Sequence, residues 1–328
     1  MGGCPICGSA FSVLLPWQKV AEECGVREQF IRARLVRPAS LGELKDLTEF
    51  FHQEKADILA CTACTLLMRS ARESPPAETY AEEPYHPGVM ERLYPQYLEA
   101  FHRKEIPYRS LLPSGARVLE IGSHYGAFLE TAAEWGWRAE GVDVGTDTSR
   151  FAQSKGFTVH HGELASRHYP GGAFDGVFIW NCFEQVDDPK PLLRECRRVV
   201  KPNGLLAVRV PNGLFYAICQ KLLSDGSLES EAAGFLIATM GYNNLLGFPY
   251  LFGYNRATLE KLISPLGFRA EGMLNAELIT LPLPENPKWV EQQERAINRE
   301  MRMLARSVLA HHDGTLTGPW IELWFRAE

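Results

Sequence analysis

No stretch of this 328-residue chain approaches the length of an apolar membrane span, and its first residues lack the basic start and apolar run of a secretory signal. Neither a membrane-spanning nor an exported protein is expected, and a cytoplasmic setting is. An excess of positive charge is missing too. Lys and Arg number 34 against 40 Asp and Glu, a net charge of −6, which leaves no electrostatic footprint for DNA or RNA. The local exception, REQFIRARLVR at 27–37, reads as a solvated helix face balanced by nearby glutamates rather than as a phosphate contact. Internal repeats and long low-complexity tracts are absent. With 45% hydrophobic and 23% charged residues, the chain can bury one sizeable core and carry a small extra module.

The G-x-G-x-x-G fingerprint of a nicotinamide or flavin dinucleotide site is also missing, which matters because the surrounding pattern otherwise fits a nucleotide-binding turn. The run VLEIGSHYGAF at 118–128 follows a β-branched and apolar stretch, 117–121, that reads as a buried strand. Gly122 and Gly126 let the chain turn tightly under a ligand, and 127–135 has the spacing of a helix whose first N–H groups would face that ligand. A second strand, WRAEGVDV at 137–144, brings Asp143 to the carboxyl edge of the sheet. A carboxylate there can accept both hydroxyls of a ribose.

At these residues the chain resembles the class I S-adenosylmethionine-dependent methyltransferases, whose first motif is commonly E-x-G-x-G-x-G. Glu120, Gly122 and Gly126 match it, and His124 stands where the central glycine would be. Later segments follow in the family's order: GFTVHHGEL at 156–164, AFDGVFIWNCFEQVDDP at 173–189, and PLLRECRRVVKPNGLLAVRVPN at 191–212, whose Pro-Asn-Gly turn is the most specific piece. A helix and strand at 255–274 and a strand at 320–328 complete the resemblance. It implies an α/β fold, a seven-stranded mostly parallel Rossmann-like sheet with helices on both faces. It implies S-adenosylmethionine as cofactor, held by Glu120, Gly122, Ser123, Gly126, Asp143, Val144, Glu163 and Asn181. Many family members place a histidine after the fourth strand, in a Leu-Glu-His triplet. Here Phe183, Glu184 and Gln185 stand there, and a glutamine cannot act as a base near neutral pH. The catalytic base is therefore unassigned, with His124 and Gln185 as candidates for a catalytic contact and His160 and His161 as further candidate bases.

Cysteine pattern adds a second signal. Cys4 and Cys7, and Cys61 and Cys64, form two C-x-x-C knuckles that together offer four thiolates, a shell that selects structural zinc over the alternative of unrelated buried or redox thiols. Cys24, Cys182, Cys196 and Cys219 lack paired spacing and read as core-like free thiols in a reducing compartment. The resulting organisation is a zinc module with a helical insert at 1–75, a linker and connecting helix at 76–107, and a methyltransferase domain at 108–328. Many bacterial methyltransferases of small metabolites and sugars carry such a module, so the resemblance implies a small-molecule acceptor, a sugar or secondary-metabolite intermediate.

Two insertions are expected to set acceptor choice. The first, 213–253, reads as a lid carrying Tyr216, Tyr242 and Tyr250, with Tyr254 just beyond it; packing of these aromatics against the domain is the alternative. The second, 287–311, has one apolar helical stripe through Val290, Ile297, Met301, Leu304 and Val308, suited to the domain or to a second copy in a homodimer. A non-catalytic binding protein that kept fold and zinc module is the rival reading, and His124 and Gln185 are the residues that favour it.

Overall fold

A computed structural model of the chain describes residues 3–23, 25, 56–70, 87–226, 233, 251–276 and 318–328. Cys24, the arginine-rich segment 27–37, the linker 72–84, most of the lid with Tyr242 and Tyr250, and the helical stripe 287–311 lie outside the described residues. Two compact units are present: 1–73 with 210–259 and 274–321, and 74–209 with 260–273 and 322–328. These units interleave along the chain.

In chain order the strands are β1 (Phe11–Leu15), β2 (Ile58–Cys61), β3 (Leu67–Arg69), β4 (Arg117–Ile121), β5 (Arg138–Asp143) and β6 (Val159–His161). They continue with β7 (Phe174–Trp180), β8 (Val200–Pro211), β9 (Phe252–Gly253), β10 (Phe268–Ala276) and β11 (Trp320–Ala327). The helices used below are α1 (Pro87–His102), α2 (Glu105–Tyr108), α3 (Ala127–Glu134), α4 (Thr146–Ser154), α5 (Pro189–Val199) and α6 (Gly213–Ser224).

The larger sheet has seven strands in the order β10-β11-β8-β7-β4-β5-β6. The pairings β4–β5, β4–β7, β5–β6 and β7–β8 are parallel. Parallel strands are covered on both faces, which is why β4 and β7 read as nearly unbroken apolar runs. Val118, Leu119, Val177, Phe178 and Ile179 are all fully buried. The Pro-Asn-Gly turn expected between α5 and the fifth strand lies inside β8. Phe174 pairs with Val200 and Gly176 with Leu205, so residues 201–204 loop out opposite Asp175, with Asn203 at φ 59°. The Asp175 carboxylate accepts from Lys201 Nζ at 2.6 Å and from the Arg117 N–H at 2.8 Å, which ties this loop to the start of β4.

The smaller sheet has the order β1-β2-β3-β9, all antiparallel. The pairing of β9 with β3 draws the chain after β8 into the amino-terminal unit and explains why the units interleave. Asn212 caps α6, its side chain accepting from the Leu214 N–H at 3.1 Å.

Candidate active site and cysteine cluster

The loop after β4 is shaped by two left-handed glycines. Gly122 has φ 72° and Gly126 φ 79°, and a Cβ would meet Cys182 Sγ at 2.6 Å in the first case and the Phe157 ring at 2.8 Å in the second. No side chain caps α3, so its first backbone N–H groups face the loop. His124 also adopts a left-handed conformation, φ 47°, which costs a residue with a Cβ about 1–2 kcal/mol. Its N–H donates to Asp143 Oδ2 at 2.7 Å, and its ring packs 3.7 Å from that of Tyr125 and 5.4 Å from that of Tyr97 on α1. Burial pushes the His124 imidazole down to about 4, against the pull of Asp143's charge. It is a neutral ring at pH 7 and a poor base.

Asp143 ends β5 as expected and has more internal work than sequence suggested. Oδ1 accepts from the Gly145 N–H and the Thr148 hydroxyl, both at 2.8 Å, while Oδ2 accepts from His124. Three of roughly four lone-pair sites are taken. Val144, the next residue, is 41% exposed, an apolar surface at the same strand end. Glu163 is exposed in the turn after β6. Inside the loop, Glu120 Oε2 and Ser123 Oγ are buried with no hydrogen-bond partner among the described residues. Buried polar atoms are normally paired, so these two mark where a bound polar group would belong.

At the end of β7, Asn181 (φ 57°) has its side-chain carbonyl hydrogen-bonded by Arg209, and its backbone carbonyl accepts from Gln185 Nε2 at 2.9 Å. Gln185 thus buttresses the loop. Histidines 160 and 161 do not converge with His124: His160 lies 3.5 Å from Glu140, which also binds Arg117 and Tyr169, while His161 sits against Val144 O and the Thr146 hydroxyl. Sequence reasoning assigned no role to the charges behind Asn181. Glu322 on β11 receives Lys104, Tyr108 (2.8 Å) and Arg209 (3.2 Å), all buried or nearly so. Glu184 is fully buried, and burial raises its carboxyl to about 8 against the pull of its own backbone N–H and of the Arg209 charge. The available signal was a lone charge inside apolar strands, Arg in LLAVRVP and Glu in WIELWF.

The four knuckle cysteines do come together. β1 pairs with β2 so that Phe11 faces Cys61, bringing the Cys4–Cys7 turn against the β2–β3 turn. All four Sγ atoms lie within 4.8 Å of one another, Cys4–Cys64 and Cys7–Cys61 each at 3.5 Å and unbonded. Sulfurs around one tetrahedral zinc at about 2.3 Å stand roughly 3.8 Å apart, so this cluster could hold such an ion. Burial pushes the Cys4 and Cys64 thiols up, while hydrogen bonds from Ser9 draw Cys7 down to about 6.

The lid's described residues are 213–226, 233 and 251–253. Within the amino-terminal unit, Tyr216 and Tyr254 are both buried, Tyr216 donating to Glu23 at 3.2 Å, which is the packing role rather than an open pocket wall. Among the described residues no helix is long and apolar enough to cross a membrane.

The methyltransferase-domain family matches residues 91–269, from within α1 into β10 and more than half of the chain. A probable S-adenosylmethionine-dependent methyltransferase of Mycolicibacterium smegmatis is 28% identical over 135 residues, 40% of this chain and 51% of that protein. A ubiquinone biosynthesis O-methyltransferase of Sodalis glossinidius is 31% identical over 97 residues, 27% of this chain and 39% of that one. The chain thus spans about half or less of these relatives' length. A crystal structure of a SAM-dependent methyltransferase from Archaeoglobus fulgidus overlays with TM-score 0.47 at 20% identity, covering 74% of this chain and all of that one. Because the family match takes in β4, its glycine loop, Asp143 and the strands on either side, this chain belongs to the methyltransferase-domain family.

Proposed function

We propose that this chain binds S-adenosylmethionine at the loop after β4 and transfers its methyl group to a small-molecule acceptor. The observation that carries the reading is the combination of a loop bent by Gly122 and Gly126 over buried, unpartnered Glu120 and Ser123 atoms with Asp143 at the adjoining strand end. When bound, S-adenosylmethionine supplies an electrophilic methyl on a sulfonium. Asp143 keeps one lone-pair site for a ribose hydroxyl, Val144 offers an apolar face and Glu163 an acceptor for the adenine end, and Glu120 with Ser123 receives the amino-acid end. Asn181 closes the site beside the methyl, held in its left-handed turn by Arg209 and Gln185. Neither His124, neutral and weakly basic, nor Gln185 supplies a strong base. Catalysis then rests on holding donor and acceptor in line, which alone can lower a barrier by about 7–11 kcal/mol.

The receiving atom is read as oxygen on a sugar or secondary-metabolite intermediate, a choice supported by relatives named for O-methylation in ubiquinone biosynthesis. In the same reading Cys4, Cys7, Cys61 and Cys64 hold one structural zinc, and the chain works in the cytoplasm. The test is transfer of labelled methyl from S-adenosylmethionine into a small-molecule extract. Acid-stable label in the low-molecular-weight fraction is expected. Label confined to protein or nucleic acid would contradict the acceptor class.

A further inference from the structure

We propose that Glu120 carries a proton while the donor site is empty and gives it up when the ammonium group of the donor's zwitterionic amino-acid end binds beside it, so that cofactor binding releases a proton. The inference rests on the donor-site reading above and deepens it. Glu120 stands opposite Gly141 in the parallel β4–β5 register, and the two-residue period of a strand puts Asp143 on the same face. Two carboxyl groups therefore share one side of the loop. Asp143 has three donors from its own chain. Glu120 is 2% exposed, and its Oε2 has no hydrogen-bond partner among the described residues.

Burial, and then the charge of Asp143, push the Glu120 carboxyl well above the usual carboxylate range. Among the described residues, the titratable groups around it offer no compensating cation. His124 in the loop is neutral at pH 7, its imidazole lowered to about 4 by burial. Cys182, after β7, has its thiol raised by burial, with the acidic residues around it adding to the rise, so it stays neutral. Tyr94, on α1, is raised by burial and by its hydrogen bond to Glu130, with Glu120 adding to the rise. Ser123 Oγ, also buried and unpartnered, can donate to either protonation state. An ammonium group is thus the countercharge this corner lacks. When it arrives, the Glu120 O–H bond breaks, the electron pair stays on the carboxylate and the proton leaves to solvent.

The test is calorimetric titration of the full chain at pH 7 in buffers of different ionisation enthalpy, which counts protons directly. S-adenosylhomocysteine, which keeps the amino-acid end, should release about one proton per bound molecule, and its affinity should rise by up to about tenfold per pH unit until Glu120 is ionised in the free protein. 5′-Methylthioadenosine, which lacks that end, should release none. Glu120→Gln should abolish the release and flatten the pH dependence. Proton release that persists in Glu120→Gln, or S-adenosylhomocysteine binding to the wild type without release, would overturn the inference while leaving the donor site standing. Should the variant fail to fold, the comparison of the two ligands on the wild type decides. If neither ligand binds, the donor-site reading falls and the inference with it.

Discussion

Replacing Asp143 with Ala should cost stability as well as cofactor affinity, because its carboxylate is built into the loop it would present to a ribose. It is 8% exposed and accepts the N–H groups of His124 and Gly145 and the hydroxyl of Thr148. Hydrogen bonds to a charged group contribute about 1.5–3 kcal/mol each, and a buried donor left unpaired costs about 1–3 kcal/mol. Thr148 can turn wholly to Gly145 O, which it already approaches at 3.1 Å, so the loss falls mainly on the two N–H groups. The contact to His124 also offsets the strain of its left-handed backbone. Together these give a loss on the order of 3–5 kcal/mol, a fall in Tm of roughly 10 °C for a domain of this size. Affinity for S-adenosylhomocysteine should drop tenfold or more, as expected when a charge-assisted contact worth about 1.5–3 kcal/mol is removed. Urea titrations followed by tryptophan fluorescence, with and without ligand, measure both effects. A variant as stable as the wild type would refute the structural role, and unchanged ligand affinity would remove Asp143 from the site.

Elemental analysis should find about one zinc per chain, lost together with the fold of the amino-terminal sheet in the Cys61→Ser, Cys64→Ser double variant. Folded, metal-free protein with all four thiols reactive would contradict this. For Glu184, burial holds the folded carboxyl at about 8, whereas it ionises near 4.3 when unfolded, so the folded state keeps an extra proton in between. Stability should therefore fall as pH rises through that window, and Glu184→Gln should flatten the fall; a variant with the wild-type pH profile would clear Glu184 of the effect. Glu322 has the opposite sign. Burial alone would raise its carboxyl, but Lys104 and Arg209 outweigh that and hold it below the usual range, so its contribution is present above about pH 4.3 and is lost as acid protonates it. Glu322→Gln should cost about 3–5 kcal/mol at pH 7 by leaving two buried cations underpaired, and a neutral substitution would show that the cluster contributes nothing.

The parts legible in sequence are those set by local chemistry. β4 was readable to the residue from its apolar run, and the turn after it from two glycines that the backbone does hold at positive φ. The cysteine knuckles were readable from spacing alone, and their four sulfurs do meet. What periodicity could not show is set by tertiary pairing. The two-residue β9 sits at the end of an aromatic run that reads as lid, yet pairs with β3. The place of Asp143 at a strand end was legible, but its internal bonds were not, because its partners are mostly backbone N–H groups placed by turn geometry. Lys104, Arg209 and Glu322 are far apart in sequence; the neighbouring strands β11 and β8 bring Glu322 to Arg209, and Lys104 reaches the pair from the turn before α2. The insertion 201–204 inside β8 likewise depends on its anchoring to Asp175 across the sheet.

Calorimetric titration of the full chain with S-adenosylhomocysteine and, in parallel, with NADH shows whether the loop after β4 is a donor site for S-adenosylmethionine. A single saturable site for S-adenosylhomocysteine and no binding of NADH over the same concentrations are expected. Binding of NADH without S-adenosylhomocysteine, or of neither, would contradict the donor site.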